Sequence, residues 1–315
     1  MYVPTRGESS RACRVCAPIV VCFIFVGVKI PDLLNGKGPI FSFEFFPPKT
    51  PQGEQSLFET IARLRELSPA FVSVTCGAGG AIRDQTVAWV TRIKHEIGIE
   101  AMAHLTCVGS TADQLAAELD QLHANGIENV LALRGDPPRD QPNFQRPAGG
   151  FGFAAELVAF IRARGYPFAL GGAGYPEGHL DCRDLDRDLA YLKAKVDAGL
   201  EFIITQLFFD SADYFAFVNR ARAAGIHLAI IPGIMPITNR RQIERMAIMC
   251  GARIPEGLRA QLAAAGDDDA ATRTIGIEHA LAQCRDLLAH GAPGIHFYTL
   301  NQSPATRSIL AELRR

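Results

Sequence analysis

The strongest constraint on the fold is an alternation, from residue 39 onward, between short β-rich runs and amphipathic stretches of helical length. Strands separated by helices pair in parallel through right-handed crossovers, and strands that are apolar almost throughout are buried on both faces. The chain therefore predicts an α/β fold, and eight such units predict a single-domain (β/α)8 TIM barrel. An open, doubly wound sheet is the alternative. The eight β-rich runs span residues 40–46, 70–76, 100–107, 127–133, 167–172, 201–209, 226–233 and 294–300.

The N-terminus does not follow this alternation. Several arginines precede the apolar run APIVVCFIFVGV at residues 17–28, which is the charge order of a signal peptide. The run is too short to span a bilayer, and no A-x-A cleavage site follows it. We predict that residues 1–34 are a disordered extension or the product of a mis-assigned start, and that residues 35–315 form the barrel. The segment 253–274 predicts an additional helix and loop before the last helix.

Charge and cysteine content limit the classes of binding partner and the cellular compartment that the sequence indicates. With 32 basic and 33 acidic residues among 315, the formal net charge is −1, so neither a nucleic acid nor an anionic membrane is indicated as a partner. Eight cysteines are irregularly spaced, and the single CxxC, Cys13 to Cys16, has no second pair or histidine cluster at a zinc-like distance. These features predict a reduced, cytoplasmic protein without a metal site.

Polar residues collect at the carboxyl ends of the predicted strands, where the active site of a (β/α)8 barrel lies. Taken singly, each has an ordinary structural explanation, such as a surface ion pair between Arg134 and Asp136. Their recurrence at the same end of almost every strand is what indicates a site. These residues and segments are Glu44, Thr75 with CGAGG, His104, Arg134 with Asp136, Tyr175 and His179 in GGAGYPEGH, Gln206, PGIMP, and Tyr298 with Asn301.

The first strand, in FSFEFFPPKT at 41–50, carries one carboxyl group, Glu44, among phenylalanines. Alternation places Phe41, Phe43 and Phe45 on one face of the strand and Glu44 on the other. One interpretation is an acid on an edge strand that faces water. The other is an acid in an apolar site formed by its phenylalanine neighbours, where loss of hydration favours the protonated form and suits the group for proton donation.

Several common catalytic signatures are missing from the sequence. GAGG and GGAG do not complete G-x-G-x-x-G, because Ile82 and Glu177 stand in the place of the last glycine. No Ser-His-Asp or Cys-His arrangement and no phosphate-binding GxxxxGKS or GxxxxGKT loop is legible. His104 and His179 lack a third ligand at metal spacing. What remains is a set of carboxyl, guanidinium, amide and hydroxyl groups that suits acid-assisted redox chemistry on a flat cofactor.

Eight motifs occur along the chain in an informative order: FSFEFFPPK, VSVTCGAGG, HLTC, LALRGDPP, YPEGH, YLKAKVDAGLEFIITQLFFD, PGIMPITN and HFYTLN. The most specific are FEFFPPK, ITQLFFD and HFYTLN. In their order and approximate spacing they resemble the methylenetetrahydrofolate reductases. The resemblance covers about residues 39–312, which is nearly the whole chain outside the extension.

The resemblance implies a barrel that holds FAD non-covalently and uses NADH or NADPH to reduce 5,10-methylenetetrahydrofolate to 5-methyltetrahydrofolate. It implies that Glu44 is the proton donor and that Asp136 lies near the flavin and the folate. Flavin-binding positions carried over by motif are Thr75, His104, Arg134, Gly135, Asp136, Ala154, Tyr175, His179, Asp188 and Lys195. Substrate-binding positions are Asp136, Gln206, Gln242, Tyr298 and Gln302.

A few positions depart from the family pattern. Gln302 replaces the Arg or Lys that commonly follows YTLN, and an amide can hydrogen-bond a folate carboxylate but cannot form a charged pair with it. Tyr191 and Ala194 stand where some members offer polar groups to the phosphate and adenosine end of the flavin. Met246 stands where some members place a phenylalanine.

The reaction implied by the resemblance requires a proton on the departing nitrogen before the substrate can accept a hydride, and Glu44 is the expected acid. Asp136, if ionised, is expected to stabilise the cationic substrate. The nicotinamide and the folate are expected to use one flavin face in turn, which is a ping-pong arrangement. Family members are often oligomers, so a homo-oligomer is expected. Because the chain ends at Arg315, we expect no regulatory C-terminal domain.

Two other interpretations remain open at this point. A barrel flavoenzyme resembling proline dehydrogenase would share the fold and the cofactor, but it would not need an acid on the first strand. A folate- or flavin-binding protein without turnover, such as a regulatory subunit, is favoured by Gln302. The presence of both Glu44 and Asp136 argues against it, because binding alone does not require them.

Overall fold

The nine described strands overlap the eight β-rich runs of the sequence. The computed structural model describes residues 27–36, 38–48, 50–76, 80–137 and 144–315. The seventh run contains two strands, because Pro232 lacks the backbone donor that an uninterrupted strand would need. The strands are β1 (Ile40–Phe45), β2 (Phe71–Val74), β3 (Ala101–Thr106), β4 (Asn129–Leu133), β5 (Ala169–Gly174), β6 (Phe202–Thr205), β7 (Ala229–Ile231), β8 (Gly233–Ile234) and β9 (Gly294–Tyr298).

The strands form one parallel sheet that closes on itself. Their order is β7-β6-β5-β4-β3-β2-β1-β9-β8, with every neighbouring pair parallel. The two ends of this order, β7 and β8, are consecutive parts of one run, and the Pro232 carbonyl between them accepts a hydrogen bond from the His296 N–H of β9 at 2.9 Å. The predicted (β/α)8 TIM barrel is therefore confirmed, and the doubly wound alternative is wrong.

Helices connect the strands, as the amphipathic stretches predict. They are α1 (Ile30–Leu34), α2 (Pro51–Leu64), α3 (Gly80–Arg92), α4 (Ala112–Ala124), α5 (Ala154–Ala163), α6 (Leu185–Asp197), α7 (Ser211–Ala223), α8 (Arg240–Cys250), α9 (Glu256–Ala264), α10 (Asp269–Ala289) and α11 (Pro304–Leu313). A 3₁₀ turn at Arg65–Leu67 follows α2, and a π-helical turn at Ile93–Ile97 follows α3. The additional helix predicted within 253–274 is α9.

Side-chain caps determine where several of these helices begin. Thr111 forms a capping box at α4, and Thr50 and Asn239 cap α2 and α8. At α7 the cap is Asp210, while Ser211 is the first helical residue. Each cap satisfies a backbone N–H that the first helical turn leaves without a partner. The helix starts are thereby fixed close to the strand ends that precede them.

Two hydrophobic layers stabilise the barrel. In the outer layer, strand residues such as Phe43 and Phe297, whose ring centroids are 5.5 Å apart, pack with Leu57 and Ile61 of α2. The inner layer fills the end of the barrel where the strands begin, and leaves the other end to polar side chains. It consists of Ile30, Ile40, Phe71, Met102, Leu131, Ala169, Phe202, Ile204 and Ile231.

Helix α1 closes the end of the barrel where the strands begin. Ile30 is fully buried in the inner layer, and its N–H donates to Oδ1 of the buried Asn129 at 2.8 Å. Asn129 Nδ2 in turn donates to the Val28 carbonyl at 2.9 Å and to Glu100 Oε1 at 3.1 Å. Glu100 also forms an ion pair with Lys94, at 3.0 Å, and only 1% of Lys94 is exposed. Buried charges of this kind require partners, and α1 is docked on the network that supplies them.

The boundary predicted at residue 35 thus follows a helix that already packs into the barrel. A helix of five residues is too short to show an amphipathic period, which is why the sequence pattern did not indicate it. Residues 1–26, the rest of the predicted extension, lie outside the described residues. In the part of the chain that the structure describes, no helix has both the length and the apolar character needed to cross a bilayer.

Candidate active site

A cavity of about 960 Å³ opens at the end of the barrel where the strands finish. Ligand sites typically measure about 300–1,000 Å³, so this one suits a large ligand or two ligands at once. Residues at or just beyond the ends of β1 to β6 and of β9 line its walls. The predicted site residues that line it are Glu44, Thr75, His104, Arg134, Gly135, Asp136, Tyr175, His179, Gln206 and Tyr298.

Glu44 lies in the cavity wall with only 7% of its surface exposed. Its Oε2 atom is 3.3 Å from Nε2 of His296 and 3.4 Å from Nε2 of His104. The contact with His296 has hydrogen-bond geometry, whereas His104 Nε2 makes no hydrogen bond to the described residues. The second contact is therefore close but is not a hydrogen bond. A carboxyl group between two imidazoles is suited to holding and releasing a proton.

The two imidazoles differ in their surroundings. Burial lowers the pKa of His104, although the nearby Glu44 partly opposes this shift, so His104 is neutral near pH 7. His296 is fully buried, and its Nδ1 atom lies 2.8 Å from Ser42 Oγ. A hydrogen bond at one ring nitrogen orients the other, and here it directs Nε2 of His296 toward Glu44.

Sequence reasoning missed His296 and Ser42 as members of the site. The alternation of β1 and β9 could have indicated both of them. The register pairs Ser42 with His296 and Glu44 with Tyr298, so these four side chains point to the barrel interior. The HFYTLN motif was recognised, but its histidine was not among the residues taken to indicate the site; those were Tyr298, Asn301 and, after the motif, Gln302.

The phenylalanines of β1 do not surround Glu44. Phe43 and Phe45 are in the outer layer, on the opposite face of the strand, as the alternation predicts. Phe46, just beyond the strand, lines the cavity. The expectation that the phenylalanines form the apolar environment of Glu44 is therefore wrong for Phe43 and Phe45. The groups found next to the carboxyl group are the imidazoles of His104 and His296.

The loop after β4 brings Arg134, Gly135 and Asp136 to the cavity. Arg134 Nη2 donates to Asp181 Oδ2 at 2.8 Å, and this hydrogen bond lowers the pKa of Asp181. Gly135 has a φ of 81°, and a Cβ atom there would lie 2.7 Å from Val108 Cγ1. Only glycine fits this conformation and this space, so the bare backbone forms part of the cavity wall.

The loop after β5 contributes Tyr175 and His179, whose rings meet edge to face with centroids 4.7 Å apart. Burial lowers the pKa of His179, and the charge of Arg134 lowers it further, so this imidazole is also neutral near pH 7. Burial raises the pKa of Tyr175, so its hydroxyl keeps its proton. Both side chains therefore present neutral hydrogen-bonding groups to a ligand.

Lys195 of α6 is half-buried and places its ammonium group behind this loop. Its Nζ atom donates to the Ala173 carbonyl at 2.5 Å and lies 5.8 Å from the centre of the Tyr175 ring. Burial lowers the pKa of Lys195 to about 8, while Asp188 opposes the shift. Asp188 is itself buried, which raises its pKa against the influence of Lys195. Below pH 8, Lys195 thus supplies a positive charge beside two cavity-lining residues.

Five predicted site residues are not part of the cavity lining: Ala154, Asp188, Lys195, Gln242 and Gln302. Ala154 is the first residue of α5, Gln242 lies in the first turn of α8, and Gln302 is exposed after β9. Their roles, like those of the lining residues, stay predictions. Residues 77–79 of the glycine-rich segment after β2 lie outside the described residues.

The similarity of the chain to known proteins agrees with this geometry. The family model described as Methylenetetrahydrofolate reductase matches residues 29–314. The chain belongs to the methylenetetrahydrofolate reductase family. The match begins one residue before α1, so it includes the helix that closes the barrel as well as the whole cavity.

Members of the methylenetetrahydrofolate reductase family from plants and bacteria are similar along most of the chain. Methylenetetrahydrofolate reductase (NADH) 1 of Arabidopsis thaliana is 44% identical over 295 residues, which are 90% of this chain and 50% of the plant protein. The 5,10-methylenetetrahydrofolate reductase of Escherichia coli (strain K12) is 41% identical over 269 residues, or 85% of this chain and 88% of the bacterial protein. The chain spans about half the length of the plant relatives it matches.

A solved structure from Clostridium thermocellum shares the fold. It is an uncharacterised protein described as binding two copies of 5-methyl-5,6,7,8-tetrahydrofolic acid. The TM-score is 0.62 at 16% identity, covering 90% of this chain and 98% of the other.

Among the residues that the structure describes, no three His, Cys, Asp or Glu side chains come together in a way that could hold a metal ion.

Proposed function

We propose that this member of the family reduces 5,10-methylenetetrahydrofolate to 5-methyltetrahydrofolate, with FAD as cofactor and NADH or NADPH as reductant. The observation that carries the proposal is the buried carboxyl group of Glu44, held between two imidazoles in the wall of a large cavity. The names of the Arabidopsis and Escherichia relatives support the same reaction. The Clostridium protein supports a folate ligand for a barrel of this shape.

The residues present fit a flavin. His104 lines the cavity, and its buried Nε2 atom makes no hydrogen bond to the described residues, which leaves its hydrogen-bonding capacity unused. Gly135 allows a flat ligand to approach the backbone closely, and Lys195 suits a phosphate group. When bound, FAD supplies the means to pass a hydride from the nicotinamide to the folate. The residues proposed to hold it are Thr75, His104, Arg134, Gly135, Asp136, Ala154, Tyr175, His179, Asp188 and Lys195.

Glu44 is the proposed general acid. The five-membered ring of the substrate must open before its one-carbon unit can accept a hydride, and opening requires a proton on the departing nitrogen. His296, itself oriented by Ser42, hydrogen-bonds the carboxyl group and fixes its position in the cavity wall. The neutral imidazole of His104 lies beside the same oxygen and has both a donor and an acceptor nitrogen.

Asp136 is proposed to stabilise the positive charge that develops on the opened substrate. Tyr298 is proposed to orient ligands together with Gln206, and its hydroxyl is fixed by donation to the Thr205 carbonyl at 2.6 Å. The remaining folate contacts are proposed for Gln242 and Gln302. Because Glu44 and seven of the ten proposed flavin-binding residues line one cavity, nicotinamide and folate are proposed to occupy it in turn, which is a ping-pong mechanism.

We also propose that the protein is a homo-oligomer in the cytoplasm. The oligomeric state is what the family resemblance implies, and the location agrees with the irregular spacing of the cysteines. Light scattering on the purified protein measures the first of these. A mass equal to that of one chain, 34.1 kDa, would contradict the oligomer.

The test of the proposed reaction is anaerobic stopped-flow spectroscopy on the purified protein. NADH or NADPH should bleach the flavin absorbance, and subsequent addition of 5,10-methylenetetrahydrofolate should restore it. A protein that purifies colourless and takes up no FAD would overturn the proposal. Bleaching without recovery on addition of the folate would favour a different barrel flavoenzyme.

The affinity for FAD is expected to fall above pH 8. An anionic phosphate binds best when Lys195 is protonated, and its pKa before binding is about 8. Below that value the affinity should be nearly constant, and above it the affinity should fall by up to about tenfold per pH unit, because binding must then take up a proton. Fluorescence titration of the flavin-free protein with FAD between pH 7 and 9.5 measures this dependence.

Two lysine variants of α6 make this test specific. Lys195→Met should bind FAD more weakly and should lose the pH dependence. Lys193→Met removes a partly exposed lysine of the same helix that pairs with Asp197, and it should behave like the unsubstituted protein. An unchanged pH dependence in Lys195→Met would contradict the assignment.

A further inference from the structure

The chain makes an unusual turn directly after β9. Leu300 and Asn301 have φ values of 51° and 61°, and among the described residues Ser68 is the one other non-glycine residue with a positive φ. This region is unfavourable for L-residues, and more so for leucine than for asparagine. Such conformations persist where the surrounding structure imposes them, and they concentrate at functional sites.

The side chain of Asn301 explains why the turn is held. Its Oδ1 atom accepts a hydrogen bond from the Phe46 N–H at 2.7 Å, and its Nδ2 atom donates to the Phe46 carbonyl at 2.9 Å. The regular pairing of β1 with β9 stops at Glu44 opposite Tyr298. The side-chain amide of Asn301 therefore makes the two hydrogen bonds that a neighbouring strand backbone would make. It extends the pairing to Phe46, two positions beyond Glu44.

Thr299 completes the attachment at Glu44 itself. The Glu44 carbonyl accepts two hydrogen bonds from Thr299, one from Oγ1 at 2.7 Å and one from the backbone N–H at 3.2 Å. The N–H of Asn301 donates to the same Oγ1 at 3.2 Å, so the turn and the threonine form one unit. The backbone on the carboxyl side of Glu44 is thereby attached at two points to a segment about 255 residues away in sequence.

We propose that Asn301 is a positioning residue for Glu44: its amide clamps Phe46 and so fixes the carboxyl group of Glu44 at the depth where it meets the substrate nitrogen. The inference rests on the proposed function, in which Glu44 donates a proton. Without the clamp, Phe46 is no longer bonded to the turn, and beyond Tyr298 only the two hydrogen bonds from Thr299 to the Glu44 carbonyl attach the end of β1 among the described residues. The 3.3 Å contact between Glu44 and His296 would then no longer be held from the loop side.

The experiment separates the clamp from the backbone strain. Asn301→Gly removes the amide and relieves the positive φ, whereas Asn301→Ala removes the amide and keeps the strain. Asn301→Asp keeps the acceptor for the Phe46 N–H and loses the donor to its carbonyl. Ser68→Gly is the control, because it relieves the same kind of backbone conformation at an exposed site with no amide clamp.

The readouts are the two half-reactions, measured separately by anaerobic stopped flow on the flavin-loaded protein, together with thermal unfolding. Recovery of flavin absorbance with the folate is expected to slow by about 10- to 100-fold in Asn301→Gly and Asn301→Ala, because misplacing a catalytic group by about 1 Å has effects of this size. Asn301→Asp should be intermediate. Bleaching by the nicotinamide should keep its rate in all variants, since no proton from Glu44 is needed there.

Three results would overturn the inference, and they are distinguishable. If both half-reactions slow together with a loss of thermal stability, Asn301 is merely structural. If Asn301→Gly keeps the folate rate while Glu44→Gln loses it, the clamp does not position the acid. If Glu44→Gln itself keeps the folate rate, the proposed acid fails, and the role of Asn301 in positioning it fails with it.

Discussion

Replacing Glu44 by glutamine is expected to slow reduction of the methylene-folate by about 10²–10⁴-fold, which is the usual contribution of a positioned general acid. Glutamine matches the size of glutamate and can still hydrogen-bond the His296 imidazole. It cannot release a proton to the departing nitrogen. The half-reaction with the nicotinamide requires no such proton, so bleaching of the flavin should proceed at an essentially unchanged rate. Anaerobic stopped flow with each substrate alone measures both rates.

A matched control exists on α4. Glu118 is buried to a similar degree, with 8% of its surface exposed against 7% for Glu44, but it does not line the cavity. Glu118→Gln should keep both half-reactions. If Glu44→Gln retained the folate rate, the acid would have to be sought elsewhere in the cavity. Loss of both half-reactions would indicate a damaged cavity instead of a missing proton.

Replacing Ile30 by alanine is expected to lower the free energy of unfolding by about 2–5 kcal/mol, the usual cost of truncating a fully buried isoleucine. The side chain fills the inner layer at the closed end of the barrel. The backbone N–H of the same residue donates a hydrogen bond to Asn129. Loosening α1 would therefore expose the polar atoms of the network around Glu100 and Lys94 or leave them without partners. Leaving such atoms buried without partners adds to the loss.

Urea unfolding followed by circular dichroism measures this effect, and the same helix offers a control. Asp32 is exposed on α1, so Asp32→Ala should change the free energy of unfolding by no more than about 0.5 kcal/mol, as for most surface substitutions. Equal effects of the two substitutions would mean that α1 does not close the barrel. The cavity lies at the opposite end of the barrel, so the Ile30→Ala variant should bind FAD normally under conditions in which it is folded.

Much of the barrel could be predicted, because its elements are encoded locally. Runs of apolar residues bounded by turns form strands, and the amphipathic stretches between them form helices, whichever partners they later meet. The boundary predicted at residue 35 lies after α1, a short helix that bonds Asn129 through Ile30, while Val28 just before it donates to Glu100; both partners are distant in sequence. Pairing across the barrel is what makes that helix part of the fold.

The surroundings of Glu44 show the same limit. Alternation along β1 correctly separated this residue from Phe43 and Phe45, but it could not show what faces the carboxyl group from other strands. The ring of His296 comes from β9, 252 positions away, and that of His104 from β3. The sequence neighbours of Glu44 predicted apolar surroundings for its carboxyl group, whereas in the structure two imidazoles from other strands lie beside it.

By itself, the sequence determined the strands, the helices, the end of the barrel that carries polar groups, and the resemblance to the methylenetetrahydrofolate reductases. The tertiary structure alone decided that Ser42 and His296 orient Glu44, that Asn301 clamps the strand beside it, and that α1 closes the opposite end. The physical reason is that secondary structure follows from residues close in the chain, whereas contacts across the barrel depend on its closure and register. Those contacts join residues that no local pattern connects.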